Sequence, residues 1–102
     1  MQHSSPSVVW TQTIVTMTAN TTLAVVAANS RRKALKWMNI GVNPVTIAPT
    51  VATVTAGSGM NYNAASALQN AGGSDSFVGE MSMQAFAGIS SAGTTLSVWE
   101  GT

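Results

Sequence analysis

The chain has no cysteine, which removes disulfides, thiolate nucleophiles and zinc–thiolate centres together. Its only histidine is His3, and its only acids are Asp75, Glu80 and Glu100. Proton-transfer catalysis needs titratable groups held rigidly against one another. A Ser-His-Asp arrangement would have to grip His3, in a polar N-terminal arm, beside Asp75. Paired carboxylates for glycoside hydrolysis would have to be Glu80 and Glu100, which read instead as a strand-edge acid and an acid near the last residue. The acids and His3 have no metal-ligand spacing. Gly57-Ser58-Gly59 is followed by no Gly-Lys-Ser/Thr, so it is not a phosphate loop. These absences predict a protein that is not an enzyme, with no catalytic residue, no metal and no cofactor.

Charge is the next scarcity. Charged residues make up 7% of the chain and the net charge is +1, where an average soluble domain carries about 25% charged residues. A near-neutral, weakly charged surface does little to prevent association, so a homo-oligomer, dimer or trimer, is expected. Long apolar runs are missing as well. The charge-free stretches from Trp37 to Ser74 and from Met81 to Trp99 are interrupted throughout by Asn, Ser, Thr and Gly, which argues against a membrane span. The first residues show no basic segment followed by an apolar one, so no signal peptide is expected.

What the chain does have is alternation. Val8 to Met17, Leu23 to Ala27, Leu35 to Ile40 with a return at Val45 to Ile47, Val51 to Thr55, Met60 to Tyr62, Phe77 to Ile89 and Thr94 to Glu100 are β-type runs separated by Gly, Asn, Pro and Ser. On the first run neither face is cleanly polar, as in a strand covered on both sides. The Leu35 and Val45 runs, joined across Gly41 to Pro44, read as an antiparallel hairpin, and Phe77 to Ile89 reads as one strand. Asn63 to Gln69 is the single helix candidate, with Asn63 as a cap and Gly72-Gly73 as a stop, but two turns of isolated helix are marginal in water and an ordered loop fits the segment equally. A chain of 102 residues holds one core of about seven or eight short strands. The predicted fold is all-β, an antiparallel β-sandwich or jelly roll with little or no helix. An arm over residues 1–7 precedes a single domain over 8–102.

All the basic side chains, Arg31, Arg32, Lys33 and Lys36, fall within six consecutive positions. Such a cluster reads either as a solvated strand entrance or as an anion-contacting patch. So few cations give little counterion release, and no run of exposed aromatics offers base stacking, so nucleic acid is not expected. An acidic protein surface suits the arginines better. Trp10, Trp37 and Trp99 each lie in a β run and read as core or interface anchors.

Three segments, Ala28-Asn29-Ser30-Arg31-Arg32-Lys33-Ala34-Leu35-Lys36, Asn39-Ile40-Gly41-Val42-Asn43-Pro44-Val45 and Gly93-Thr94-Thr95-Leu96-Ser97-Val98-Trp99-Glu100-Gly101, together resemble small virion proteins of tailed bacteriophages, the β-sandwich decoration (cement) and head-fibre proteins. The shared outline is an arginine before an alternating strand, an Asn-x-Gly-x-Asn-Pro-Val turn, and a last strand closing in Glu-Gly; Thr50 to Ser76 has no counterpart in it. The resemblance implies a non-enzymatic place on the virion, as a decoration protein that binds the major capsid protein on the outer surface of the head and stabilises the shell. Arg31, Arg32, Lys33 and Lys36 are then the expected partner-binding residues. The alternative is a head-fibre or tail-tip module that recognises a host surface glycan, for which an exposed Trp37 or Trp99 beside a polar pocket would speak.

Overall fold

The alternating runs become eight strands. A computed structural model describes residues 8–49, 59–65 and 72–102. Its strands are β1 (Trp10–Met17), β2 (Leu23–Val26), β3 (Ala34–Asn39), β4 (Val45–Pro49), β5 (Met60–Tyr62), β6 (Ser74–Val78), β7 (Phe86–Ile89) and β8 (Thr94–Gly101), with a 3₁₀ turn at Gly79–Met83. They form two four-stranded antiparallel sheets, ordered β1-β8-β3-β6 and β2-β7-β4-β5. The pairs β1·β8, β2·β7, β3·β6 and β4·β5 describe a chain doubled back between β4 and β5 and then rolled into two layers. This is the strand order of a jelly roll. The all-β sandwich expectation therefore holds. The arm over residues 1–7 and the expected strand over 51–55 lie outside the described residues. So does most of the helix candidate, of which Asn63–Ala65 form no helix.

Two of the expected pairings are corrected. β3 and β4 do not form a hairpin: they lie in different sheets, and Gly41 to Pro44 carries the chain across the edge of the sandwich. Each strand buries an apolar row, Leu35 and Trp37 on one, Val45 and Ile47 on the other. Facing each other across the core buries both rows at once. The Phe77 to Ile89 run is not one strand either. Gly79 adopts φ +70°, the left-handed region that a β-strand excludes, and the chain turns there from β6 in one sheet to β7 in the other.

The core sits between the layers. Leu35, Trp37, Ile47, Phe86, Leu96 and Val98 are fully buried. Trp37 is its centre, with the Phe86 ring centroid 4.9 Å away at 69°, Phe77 at 5.1 Å and Tyr62 edge-on at 6.0 Å. Aromatic contacts of this kind add about 0.5–1.5 kcal/mol each beyond area burial. Of the tryptophans, Trp37 is the core anchor. Trp10 is exposed, and Trp99 is half-buried on the outside of its sheet.

Candidate functional site

The basic stretch does not present a single surface. Asn29 Oδ1 accepts the Arg31 N–H at 2.9 Å, and the Arg32 N–H returns to the Asn29 carbonyl at 3.1 Å. That turn rolls Arg32 inward, where it is 1% exposed. Its Nε and Nη2 donate to Glu100 Oε1 at 3.0 and 2.7 Å. Nη1 donates to the Ser82 and Gln84 carbonyls, and Nη2 also to that of Ala27. Arg32 is thus an internal clasp joining the β2–β3 connection, the 3₁₀ turn and β8, and it is removed from the expected partner-binding set. Glu100 reaches it because Leu96, Val98 and Glu100 alternate onto the inner side of β8. The other cations separate. Arg31 and Lys33 are exposed beside Val9, Met83 and Thr102 at one end of the sandwich, whereas Lys36 lies on the outer sheet face with Nζ 5.0 Å from the Trp10 ring centroid.

The opposite end is held by Asn39, which is fully buried. Its Nδ2 donates to the Asn43 and Tyr62 carbonyls at 2.8 and 3.3 Å, and its Oδ1 accepts from Gly41 N–H at 3.1 Å and Thr94 Oγ at 2.8 Å. Every hydrogen-bonding position of the amide is filled. Asn43 Nδ2 donates to the Gly93 carbonyl and Ser90 Oγ to that of Pro44, so the turn after β3 is tied to the turn before β8.

Between these clasps lies the outer face of the β1-β8-β3-β6 sheet. Register places its side chains in rows: Trp10, Gly101, Ala34 and Val78; then Gln12, Trp99, Lys36 and Ser76; then Ile14, Ser97, Met38 and Ser74. Trp10 is 43% exposed, Ile14 52%, Val78 75%, and Met38 and Ile40 are also exposed. In these rows the only charge is Lys36. Gly101 leaves room for the Trp10 ring, since a Cβ there would meet its edge at 3.3 Å. Trp99, Lys36, Met38 and Ile40 together with Ser74, Asp75 and Ser97 line an open groove of about 520 Å³ on this face. Beneath it Tyr62 donates to Asp75 Oδ2 at 3.1 Å. Burial, with Asp75 adding, pushes the Tyr62 phenol up to about 12. The Trp37 indole N–H lies close enough to oppose that rise but makes no hydrogen bond of good geometry.

Sequence reading picked out Trp10, Trp99 and Lys36 here but missed Ile14, Met38, Ile40, Val78 and Asp75. The signal was present in the mixed faces of the first run, where Trp10, Gln12 and Ile14 share a side. Among the described residues no group of three or more His, Asp or Glu side chains could hold a metal ion. No helix there is long and apolar enough to cross a membrane. Comparison of the chain with protein-family models, curated proteins and solved structures gives no match in any of the three.

Proposed function

We propose that this protein is a non-enzymatic virion structural protein, a decoration protein that binds the major capsid protein on the outside of a phage head and stabilises the shell. One observation carries the reading: the outer face of the β1-β8-β3-β6 sheet exposes Trp10, Ile14, Met38, Ile40 and Val78 around Lys36, with Asp75 at the β6 edge as the other charge. Exposed apolar area that is contiguous marks an interaction surface. Each Å² that a capsid subunit covers is worth about 25 cal/mol before the cost of association. A copy bound to assembled subunits and not to dissociated ones stabilises the shell by mass action. Arg31 and Lys33, with Arg32 excluded, supply charge at the margin, where it sets association rate and salt dependence more than affinity, while Lys36 lies within the face. The test is co-sedimentation with bare heads made from the major capsid protein of the same genome. Met38→Asp, which puts a charge in the middle of the face, should lower occupancy at least tenfold with the fold unchanged. Equal occupancy would refute this docking face, and no binding by the wild type would refute the role.

A second reading has its own observation. Trp99 beside Lys36, Asp75, Ser74 and Ser97 offers a ring face and polar groups together, the combination by which a host surface glycan is held. Glycan-array binding lost in Trp99→Ala, with no affinity for bare heads, would decide for that alternative.

A further inference from the structure

Exposed sheet edges invite pairing with other chains, and folded proteins blunt them. Of the four edges here, β2 is four residues long, and its ladder to β7 slips between Ala24 and Val26. β5 is three residues long. β6 carries a charge, Asp75, whose Oδ1 takes the Ser76 N–H at 2.9 Å. β1 has none of these devices. It runs for eight residues, Trp-Thr-Gln-Thr-Ile-Val-Thr-Met, without charge, Pro or Gly, and its register with β8 is unbroken from Trp10 to Met17. Among the described residues no strand lies on its far side.

The hydrogen-bond parity of that edge follows from its start. Val9 and Thr102 exchange both backbone bonds, at 2.8 and 2.9 Å. Antiparallel pairs alternate, so Thr11, Thr13, Val15 and Met17 spend their backbone groups on β8. Trp10, Gln12, Ile14 and Thr16 point four N–H and four C=O groups at the open edge. These residues are placed symmetrically about Thr13.

We propose that β1 pairs with β1 of a second copy, antiparallel across a two-fold axis at Thr13, so that one eight-stranded sheet spans the dimer. Trp10 then stands opposite Thr16 of the second copy and Gln12 opposite Ile14. All the outward N–H groups of both strands find carbonyls, and no like charges meet because the strand has none. Among the described residues β1 is the only long bare strand, and the blunted edges there offer no second docking strand for open-ended growth. The contact is therefore isologous and closes at two copies. It joins the two apolar outer faces into one and needs no capsid.

The full chain, measured by sedimentation equilibrium, is expected at twice 10.4 kDa. Ile14→Pro removes an N–H that faces the open edge and not β8; it should halve the mass with the circular dichroism unchanged. Cysteine scanning reads the register independently, because the chain has no cysteine of its own. Thr13 lies on the axis, about 4.5 Å in Cα separation from its copy and within disulfide reach. Thr11 lies four strand rises away from its own copy, about 14 Å. Thr13→Cys should oxidise to a covalent dimer, and Thr11→Cys should stay monomeric on a denaturing gel. A monomeric wild type, an Ile14→Pro dimer, or equal cross-linking at both cysteines would overturn the pairing.

Discussion

Replacing Arg32 with Ala tests whether the basic stretch serves the fold or a partner. The guanidinium is 1% exposed, and its loss leaves the carbonyls of Ala27, Ser82 and Gln84 without their donor. It also leaves Glu100 unpaired, although that side chain is 26% exposed and water can reach part of it. Removing one partner of a buried pair costs about 3–5 kcal/mol, and the partial exposure of Glu100 places this case near the lower end. We expect a loss of about 3–4 kcal/mol, equivalent to a fall in Tm of roughly 12–30 °C for a domain of this size. Arg31→Ala, at an exposed loop position, should cost under about 0.5 kcal/mol. Urea unfolding followed through the fluorescence of buried Trp37 measures both. The clasp argument fails if Arg32→Ala costs less than about 1 kcal/mol or no more than Arg31→Ala. Partner binding is for the same reason tested with Arg31→Ala and Lys33→Ala, since a variant that lacks Arg32 reports on folding first.

Asn39→Ala at the other end strands the Tyr62 and Asn43 carbonyls, the Gly41 N–H and the Thr94 hydroxyl, and should cost about 2–4 kcal/mol in thermal unfolding; a loss below about 1 kcal/mol would show that water replaces the amide. Tyr62 is the only tyrosine, so absorbance at about 295 nm should titrate near 12 in the folded chain and near 10 when unfolded. Because its folded pKa is raised, the stability it contributes is complete below pH 10 and is lost as pH rises through about 12. A folded midpoint near 10 would contradict its burial beside Asp75.

The faces of the strands were legible in the sequence and their neighbours were not. Leu35, Trp37 and Asn39 do point inward and Ala34, Lys36 and Met38 outward, because period two is a property of one strand. Whether two such strands lie side by side or face each other across a core leaves the same pattern, which is why β3 and β4 read as a hairpin. Arg32 was misplaced for a local reason. Even-numbered residues of β3 face out, but the Asn29 turn breaks that parity before the strand begins. The clue lay elsewhere, in Leu96, Val98 and Glu100: an acid on the inner side of the last strand requires a cation to meet it. The Phe77 to Ile89 run kept its alternation on paper, and only the left-handed φ at Gly79 shows where it is cut.

The three segments on which the expected resemblance to phage decoration and head-fibre proteins rests come together in space as one unit. Arg32 meets Glu100, Lys33 N–H meets the Gly101 carbonyl, Asn39 meets Thr94, and Asn43 meets Gly93. Between these contacts β3 and β8 pair from Ala34·Gly101 to Asn39·Leu96. In this chain these segments are the pair of central strands with a clasp at each end, Arg32 with Glu100 at one and Asn39 with Thr94 at the other. A resemblance that rests on such residues speaks for the architecture and not for a role, since here they hold the sandwich together. The surface free of these contacts lies on the strands that flank the unit, in Trp10, Gln12 and Ile14 of β1 and Ser74 to Val78 of β6, and in the outward residues Lys36, Met38 and Trp99. Substitutions there leave both clasps intact, so a loss of binding in Met38→Asp or Trp99→Ala reports on the partner, whereas a loss in Arg32→Ala or Asn39→Ala reports on the fold.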